Sequence, residues 1–246
     1  INPVGSINYQ TVERVVERRV AVSQRPVLIA VTGTASGVGT TMTACALACY
    51  LAGQGLKTVL AEAGELTSLG IIIEKSLTQQ PVLWVPCLDV CIEPMPRRLV
   101  KGRQYSYVVA DYGLCADKRL AQADADLVIA VLPQAQRITR AVHWLREAKQ
   151  KLPVLQELRY VSISSGSDAE KVSDMWKEVC VEILPGVDAE VFALSLPRDG
   201  EEWPPGYKEK NEKLELACRD VLAEVLPDAP SKKGKSWVSF AKRKTT

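Results

Sequence analysis

Short apolar runs alternate with longer segments of helical composition over most of the chain. Runs of this kind, bounded by turn residues, are typical of buried strands, and they occur at residues 27–31, 57–63, 105–111, 127–132, 158–164 and 190–196, with one or two shorter strands within 82–92. Helices are predicted between them at 40–52, 66–75, 134–151, 167–181 and 207–226. This alternation predicts an α/β fold: a mostly parallel central sheet with helices on both faces.

The two ends of the chain depart from this pattern. Residues 1–25 are polar and predict a linker or an added N-terminal helix, and because the first residue is Ile1 we expect a longer protein. The α/β domain is predicted to occupy residues 26–228. Residues 229–246 form a basic tail, in which Trp237 and Phe240 are flanked by Lys232, Lys233, Lys235, Lys242, Arg243 and Lys244. Segment 232–244 suits an anionic membrane surface or an acidic partner, or else is simply a solvated tail.

Composition narrows the functional classes. The 246 residues are 47% hydrophobic, which is enough for one sizeable core. The net charge of +2 does not favour nucleic acid as a partner. No apolar run is long enough to span a membrane, and no signal peptide is visible. Seven cysteines at irregular spacing favour reduced thiols, so we expect a cytoplasmic protein.

The cysteines and the single histidine offer little metal chemistry. Cys45 and Cys49 lie four residues apart on a predicted helix and could share a face that binds a metal. We favour the interpretation that they are small buried hydrophobic residues. His143 is the only histidine and is predicted at the surface or its boundary, so a His-rich zinc site or a Ser-His-Asp triad is hard to build.

A glycine-rich turn, residues 32–39, joins the first strand to the first helix. The backbone N–H groups of such a turn and the helix dipole together favour a phosphate. We therefore expect a cofactor at Gly33, Ser36, Gly37, Val38, Gly39, Thr40, Thr41 and Met42. The alternative is a tight strand-to-helix turn without a ligand, since glycine suits a positive φ in either case.

The turn lacks the side-chain cation of an ordinary phosphate loop. Such a loop continues with a lysine for the β- and γ-phosphates and a Ser or Thr for Mg²⁺. Here Thr40 stands where the lysine is expected, and Thr41 stands where the magnesium-binding hydroxyl is expected. Thr41 could also serve only as a helix cap.

Residues 35–42 carry a resemblance to a known group of proteins. They read Ala-Ser-Gly-Val-Gly-Thr-Thr-Met and resemble the Lys-Gly-Gly-Val-Gly-Lys-Thr-Thr of MinD/ParA-type ATPases, members of the deviant P-loop (SIMIBI) superfamily. The family's signature lysine, which reaches the nucleotide of a dimer partner, corresponds to Ala35. The resemblance extends over about residues 26–226 and implies that both lysines are lost.

The resemblance also implies roles for residues elsewhere in the chain. Residues 107–111 resemble the Walker B strand, which would place Asp111 near Mg²⁺ together with Thr41. Residues 191–199 resemble the final strand and the loop that touches the nucleotide base, which adds Pro197, Arg198 and Asp199 to the cofactor residues. ATP or ADP with Mg²⁺ is the implied cofactor.

Two acids are the candidate catalytic residues. The second predicted strand ends in Glu62-Ala63-Gly64 where the family has Asp-x-Asp, so glycine replaces the second acid. Glu62 could act on water, although we expect a solvated carboxylate at the strand end. Asp111 could hold the metal or could be an acid of the scaffold. With the lysines lost, we expect weak hydrolysis, because charge neutralisation and positioning supply most of the catalysis in phosphoryl transfer.

Within this superfamily the chain looks most like the TadZ/CpaE-like branch, whose members place pilus-assembly or secretion machinery at the cell pole and often carry a degenerate phosphate loop. The resemblance implies a non-hydrolysing positioning or scaffold protein that forms a homodimer and binds other proteins. One alternative is a slow ATPase that uses Thr41, Asp111 and a cation such as Arg198. Another is an enzyme of the dethiobiotin-synthetase kind, whose opening resembles residues 31–34 and 38–39.

Overall fold

Seven parallel strands form one sheet. The computed structural model describes residues 25–64, 87–102, 104–115, 118–152, 158–163, 167–186, 189–195 and 212–226. Its strands are β1 (Val27–Gly33), β2 (Thr58–Glu62), β3 (Leu88–Ile92), β4 (Tyr107–Leu114), β5 (Leu127–Leu132), β6 (Leu158–Ser162) and β7 (Val191–Ala193). They are ordered β3-β2-β4-β1-β5-β6-β7, and every neighbouring pair is parallel.

Helices cover both faces of this sheet, which confirms the predicted α/β fold. They are α1 (Thr40–Gly53), α2 (Arg97–Gly102), α3 (Lys118–Ala121), α4 (Ile138–Lys151), α5 (Ser167–Ile183) and α6 (Glu212–Val221), with a 3₁₀ turn at Ala135–Arg137. Helices α1 and α6 share one hydrophobic cluster with the sheet, and α4 and α5 share another on the opposite face.

Strand β1 explains why the apolar runs are continuous. Successive side chains of a strand point to opposite faces of the sheet. Ile29 and Val31 accordingly pack with α1, while Leu28 and Ala30 pack in the cluster that contains α4 and α5. Because both faces are covered by helices, the strand is apolar without interruption from Val27 to Val31.

Strand β4 runs further than the sequence predicts. It was expected to end at Asp111, but it continues to Leu114. Its pairing with β1 shifts register between Val31, opposite Asp111, and Gly33, opposite Leu114, so β4 contains one extra residue. The Thr32 hydroxyl donates to the Cys115 carbonyl at 2.8 Å, which holds the chain against β1 beyond the bulge.

Several other boundaries differ from the predictions. The helix predicted at 134–151 begins as a 3₁₀ turn, and the strand predicted at 190–196 is only three residues long. The helix predicted at 207–226 ends at Val221, and residues 207–211 lie outside the described residues. The short helices α2 and α3 were not predicted. The helix predicted at 66–75 and both terminal segments, 1–24 and 229–246, lie outside the described residues. Among the described helices none is long and apolar enough to cross a membrane.

The cysteines of α1 pack in the interior. Cys45 and Cys49 are both buried, as their interpretation as small hydrophobic residues requires. Burial raises the pKa of both thiols, that of Cys49 to about 12. His143 is exposed on α4, as predicted. No group of three or more potential metal ligands of the His, Cys, Asp or Glu type occurs in the described part of the chain.

Candidate functional site

A cavity of about 260 Å³ opens at the carboxyl ends of β1, β2 and β4. Ligands of open parallel sheets bind at this edge, where the strand order changes direction. The cavity is lined by the whole loop from Ala35 to Met42 together with Glu62, Gly64, Asp111, Gly113 and Leu114.

Two glycines in the left-handed conformation shape the loop. Gly37 has φ 72° and Gly39 has φ 86°, so both positions favour glycine. Gly39 also needs to be small, because a Cβ there would lie 2.4 Å from Cδ1 of Ile163, just after β6. The start of the loop is held against β5, since Thr34 donates from its N–H and its hydroxyl to the Val131 carbonyl at 3.0 and 2.8 Å. The result is an anion nest on a fixed base.

The N-terminus of α1 adds open donors to the nest. Gly39 is the N-cap residue, and among the described residues no side chain caps the helix. The first intrahelical bond runs from the Thr43 N–H to the Gly39 carbonyl at 2.9 Å, so the N–H groups before it remain for a ligand. The first turn contains no acid that would compete with a bound anion. The interpretation of Thr41 as a helix cap is therefore wrong.

Thr41 instead joins the helix to β4. Its hydroxyl donates to Oδ2 of Asp111 at 2.6 Å, and the Gly113 N–H donates to Oδ1 of the same carboxylate at 2.9 Å. Asp111 is 3% exposed. Burial raises the pKa of this carboxyl, and the hydrogen bonds from Thr41 and Gly113 oppose that shift.

Glu62 lies beside Asp111 and is buried. The two residues are paired in register on β2 and β4. Glu62 is only 4% exposed, so the prediction of a solvated carboxylate is wrong. The reason is that β2 lies between β3 and β4: β3 ends opposite Glu62 at Ile92, and β4 continues past it to Leu114. The Glu93 N–H donates to the Glu62 carbonyl at 3.0 Å, and the Ala63 N–H donates to the Asp111 carbonyl at 2.8 Å.

Thr41 and Asp111 fit a magnesium ion. Both offer oxygen, the ligand type that Mg²⁺ prefers. Adjacent ligands of an octahedral ion with bonds of about 2.1 Å are about 2.9 Å apart. The two oxygens are already 2.6 Å apart, so a shift of a few tenths of an ångström gives the required spacing.

Positive side chains are missing from the described lining of the cavity. It contains two carboxylates, Glu62 and Asp111, and no Lys, Arg or His. Thr40 turns its hydroxyl toward β1, because a Cβ added to Gly33 would lie 2.3 Å from that oxygen. Gly33 thus makes room for Thr40 and does not line the cavity. Ala35 lines it with a methyl group that is 7% exposed.

Gly64 stands where the resemblance places a second acid, and the structure leaves no space for a side chain there. A Cβ at Gly64 would lie 2.9 Å from the Tyr112 carbonyl oxygen and 3.0 Å from its carbon. The Gly64 N–H also donates to the Asp111 carbonyl at 3.0 Å. Both contacts involve the backbone of β4, so a side chain could be accommodated only if the two strand ends separated.

Most of the predicted site residues meet at this one cavity. Residues 36–42, Glu62 and Asp111 all line it, whereas Pro197, Arg198 and Asp199 lie outside the described residues. Gly113 and Leu114 were missed because β4 was expected to end at Asp111. The glycine two residues after the acid, with φ 59°, was the available signal for a bulge.

Comparison with known proteins agrees with this architecture. The sequence profile of the CobQ/CobB/MinD/ParA nucleotide binding domain matches residues 29–201. No curated protein sequence matches the chain.

Three solved structures share the fold. A ParA family ATPase from Chlorobium tepidum TLS is 15% identical, with 89% of this chain and 99% of that chain covered and a TM-score of 0.51. A putative plasmid partition protein from Borrelia burgdorferi B31 bound to AMPPNP is 15% identical, with coverage of 82% and 100% and a TM-score of 0.54. The MinC:MinD cell division protein complex of Aquifex aeolicus is 16% identical, with 82% of this chain and 98% of that chain covered and a TM-score of 0.50.

Proposed function

The chain belongs to the CobQ/CobB/MinD/ParA nucleotide-binding domain family, and on that premise we propose that its cavity binds ATP or ADP with Mg²⁺ but does not hydrolyse ATP efficiently. One observation carries the proposal. The Thr41–Asp111 pair is kept at 2.6 Å beneath a loop in which neither lysine position has a charged side chain.

Binding is supported by the parts of the site that remain. The nest at Gly37 and Gly39 and the uncapped start of α1 present backbone donors to phosphate oxygens. The oxygens of Thr41 and Asp111 would hold Mg²⁺, which supplies charge neutralisation at the phosphates when bound.

Weak hydrolysis follows from what the site has lost. Phosphoryl transfer depends on positive charge at the developing anion and on a positioned water. Thr40 and Ala35 provide no charge, and Gly64 provides no carboxylate. Glu62 remains as the acid that could orient a water, because it lines the cavity beside Asp111.

The biological role we propose is that of a positioning or scaffold protein of the TadZ/CpaE-like kind, serving pilus or secretion machinery. It would act as a homodimer that binds other proteins, with tail 232–244 at an anionic membrane surface. Because Ala35 replaces the lysine that would cross to a partner, such a dimer would not depend on that contact. A monomer in sedimentation equilibrium at high concentration, with and without ATP, would contradict the dimer.

Parallel measurements of binding and turnover test the proposal. Calorimetry with Mg·ATP should give saturable binding, while a steady-state phosphate-release assay should give no turnover above that of an Asp111→Ala control. Failure to bind Mg·ATP or Mg·ADP at millimolar concentrations would contradict nucleotide binding. If the wild type releases phosphate and the Asp111→Ala variant does not, the proposed loss of hydrolysis is contradicted.

A slow ATPase is the second candidate, and the intact Thr41–Asp111 pair favours it. It would need a cation from elsewhere in the protein, for which Arg198 is the sequence-based candidate. The same assay separates the two functions. Slow release that needs both Asp111 and Arg198 supports the ATPase, and release unchanged in Asp111→Ala comes from a contaminant.

A further inference from the structure

The charges that line the cavity determine whether a nucleotide binds with or without a divalent cation. Resting on the proposed function, we infer that the site binds a nucleotide only as its divalent-cation complex, so that the metal ion takes over the electrostatic role of the missing lysine. The buried carboxylate of Asp111, whose hydrogen-bond donors Thr41 and Gly113 are both neutral, opposes the binding of a nucleotide without metal.

The first step is the balance of charge. Two carboxylates line the cavity, Asp111 at 3% and Glu62 at 4% exposure, while none of its other described lining residues is charged. A nucleoside diphosphate brings about three more negative charges into this cavity, whose volume is about 260 Å³. In a lysine-bearing loop, a fixed cation meets these charges whether or not a metal is present. Here the backbone donors of the nest carry only partial charges.

The second step is the state of the metal ligands. The Thr41 hydroxyl donates its proton to Asp111, and the other carboxylate oxygen accepts the Gly113 N–H. Without a metal, the Thr41 hydroxyl donates its proton to Asp111, so neither side chain offers a hydrogen-bond donor to a phosphate. Thr41 and Asp111 would hold a divalent cation if the Thr41 hydroxyl kept its proton and turned it away from Asp111, because the two oxygens are already close to the spacing of adjacent ligands. The cation then presents positive charge where the phosphates lie.

The third step is the position of Thr40. Its hydroxyl lies against Gly33, away from the cavity, so Thr40 neither offsets phosphate charge nor obstructs the site. It is half-buried at the first position of α1. A lysine there would have to leave the Gly33 contact and could extend into the cavity, which makes Thr40→Lys a direct way to return the missing charge.

The size of the effect follows from electrostatics. Unit charges about 5 Å apart at the effective dielectric constant of a protein surface interact with an energy equal to about a 100-fold change in affinity or more. We therefore expect ADP to bind at least about 100-fold more weakly in EDTA than with excess Mg²⁺. Thr40→Lys should reduce that ratio to about tenfold or less, mainly by strengthening metal-free binding.

The experiment is a titration of fluorescent N-methylanthraniloyl-ADP into the full chain at constant ionic strength, in EDTA or in excess Mg²⁺. The wild type is compared with Thr40→Lys and with Thr40→Met, which matches the length of lysine without its charge. Far-UV circular dichroism and melting curves establish that each variant is folded. Thr40→Met should keep the metal dependence of the wild type.

The outcomes separate this inference from the proposed function. Binding with Mg²⁺ that falls at least about 100-fold in EDTA, and recovers in Thr40→Lys but not in Thr40→Met, supports the inference. An affinity in EDTA within about tenfold of that in Mg²⁺ overturns the inference but leaves nucleotide binding intact. A folded Thr40→Lys variant whose metal dependence equals that of the wild type also overturns it. Absence of binding under both conditions at millimolar nucleotide overturns both.

Discussion

Replacing Gly64 with alanine tests whether the lost acid position is closed by the packing of the sheet. The added Cβ would lie 2.9 Å from the Tyr112 carbonyl oxygen, several tenths of an ångström inside normal van der Waals contact. The atoms it meets are backbone atoms of a central strand, so no side chain can rotate away. Gly64 has no left-handed φ, so alanine adds no backbone strain and the contact alone sets the cost.

The magnitude combines two effects. Overpacking of a tight site costs about 1–3 kcal/mol. Separating the ends of β2 and β4 to relieve the contact also stretches the bond from the Gly64 N–H to the Asp111 carbonyl, which contributes about 1 kcal/mol. We expect Gly64→Ala to lower the free energy of unfolding by about 2 kcal/mol, which shifts the urea midpoint down by roughly 1 M.

Urea denaturation followed by circular dichroism measures this shift, and Gly102→Ala is the matched control. Nothing lies within 4 Å of a Cβ at Gly102, which ends α2 without a left-handed φ, so alanine there should be neutral or stabilising by up to about 1 kcal/mol. Gly64→Asp should be less stable than Gly64→Ala, because its carboxylate would join those of Glu62 and Asp111. A Gly64→Ala protein within about 0.5 kcal/mol of wild type would refute the packing argument.

Three further predictions follow from other contacts. Asp111→Asn should raise the melting temperature at pH 7, because burial raises the pKa of the Asp111 carboxyl and the ionised form is therefore destabilising. The advantage should shrink as the pH falls toward the carboxyl's ordinary value of 3.8, where the wild-type carboxyl is increasingly protonated in both states, and an advantage as large at pH 3.8 as at pH 7 would contradict this cause. Arg159→Met should cost about 2 kcal/mol in urea denaturation, because the guanidinium donates to the carbonyls of Asp220 and Val221 at the end of α6 at 2.9 and 2.6 Å. Glu224→Gln, which removes only the exposed partner of Arg159, should cost under about 0.5 kcal/mol, and equal costs would contradict this assignment. With a thiol reagent the exposed Cys87 should react first in the native protein, whereas Cys49 and Cys180, whose pKa burial raises to about 12, should react only after unfolding.

The sequence predicts the sheet well because most of its strands contain a short run of apolar residues. β1 and β5 appear close to their predicted bounds, since strands covered on both faces stand out as apolar runs, and β6 does so although Arg159 interrupts its apolar residues. The short helices α2 and α3 were missed because one or two turns are too few to show a helical period.

The sequence predicted most residues of the candidate site but not how deeply they are buried. The loop follows from the glycine-rich pattern between the first strand and the first helix, and its pairing with Asp111 from the resemblance of residues 107–111 to a Walker B strand. The burial of Glu62 depends on the strands β3 and β4 that flank it and on how far β4 extends beyond β2, and the closed position at Gly64 depends on a bulge in β4. The burial of Glu62 and the close contact at Gly64 both arise between strands that meet only in the folded protein, so no local sequence pattern predicts them.

The fate of bound ATP tests the central claim most directly. The full chain is saturated with Mg·ATP, separated from free nucleotide, and its bound nucleotide is identified by chromatography over several hours. We predict about one nucleotide per chain, recovered as ATP throughout. Conversion of the bound nucleotide to ADP at a rate that Asp111→Ala abolishes, or no retained nucleotide together with no calorimetric binding of Mg·ATP at millimolar concentration, would contradict the account.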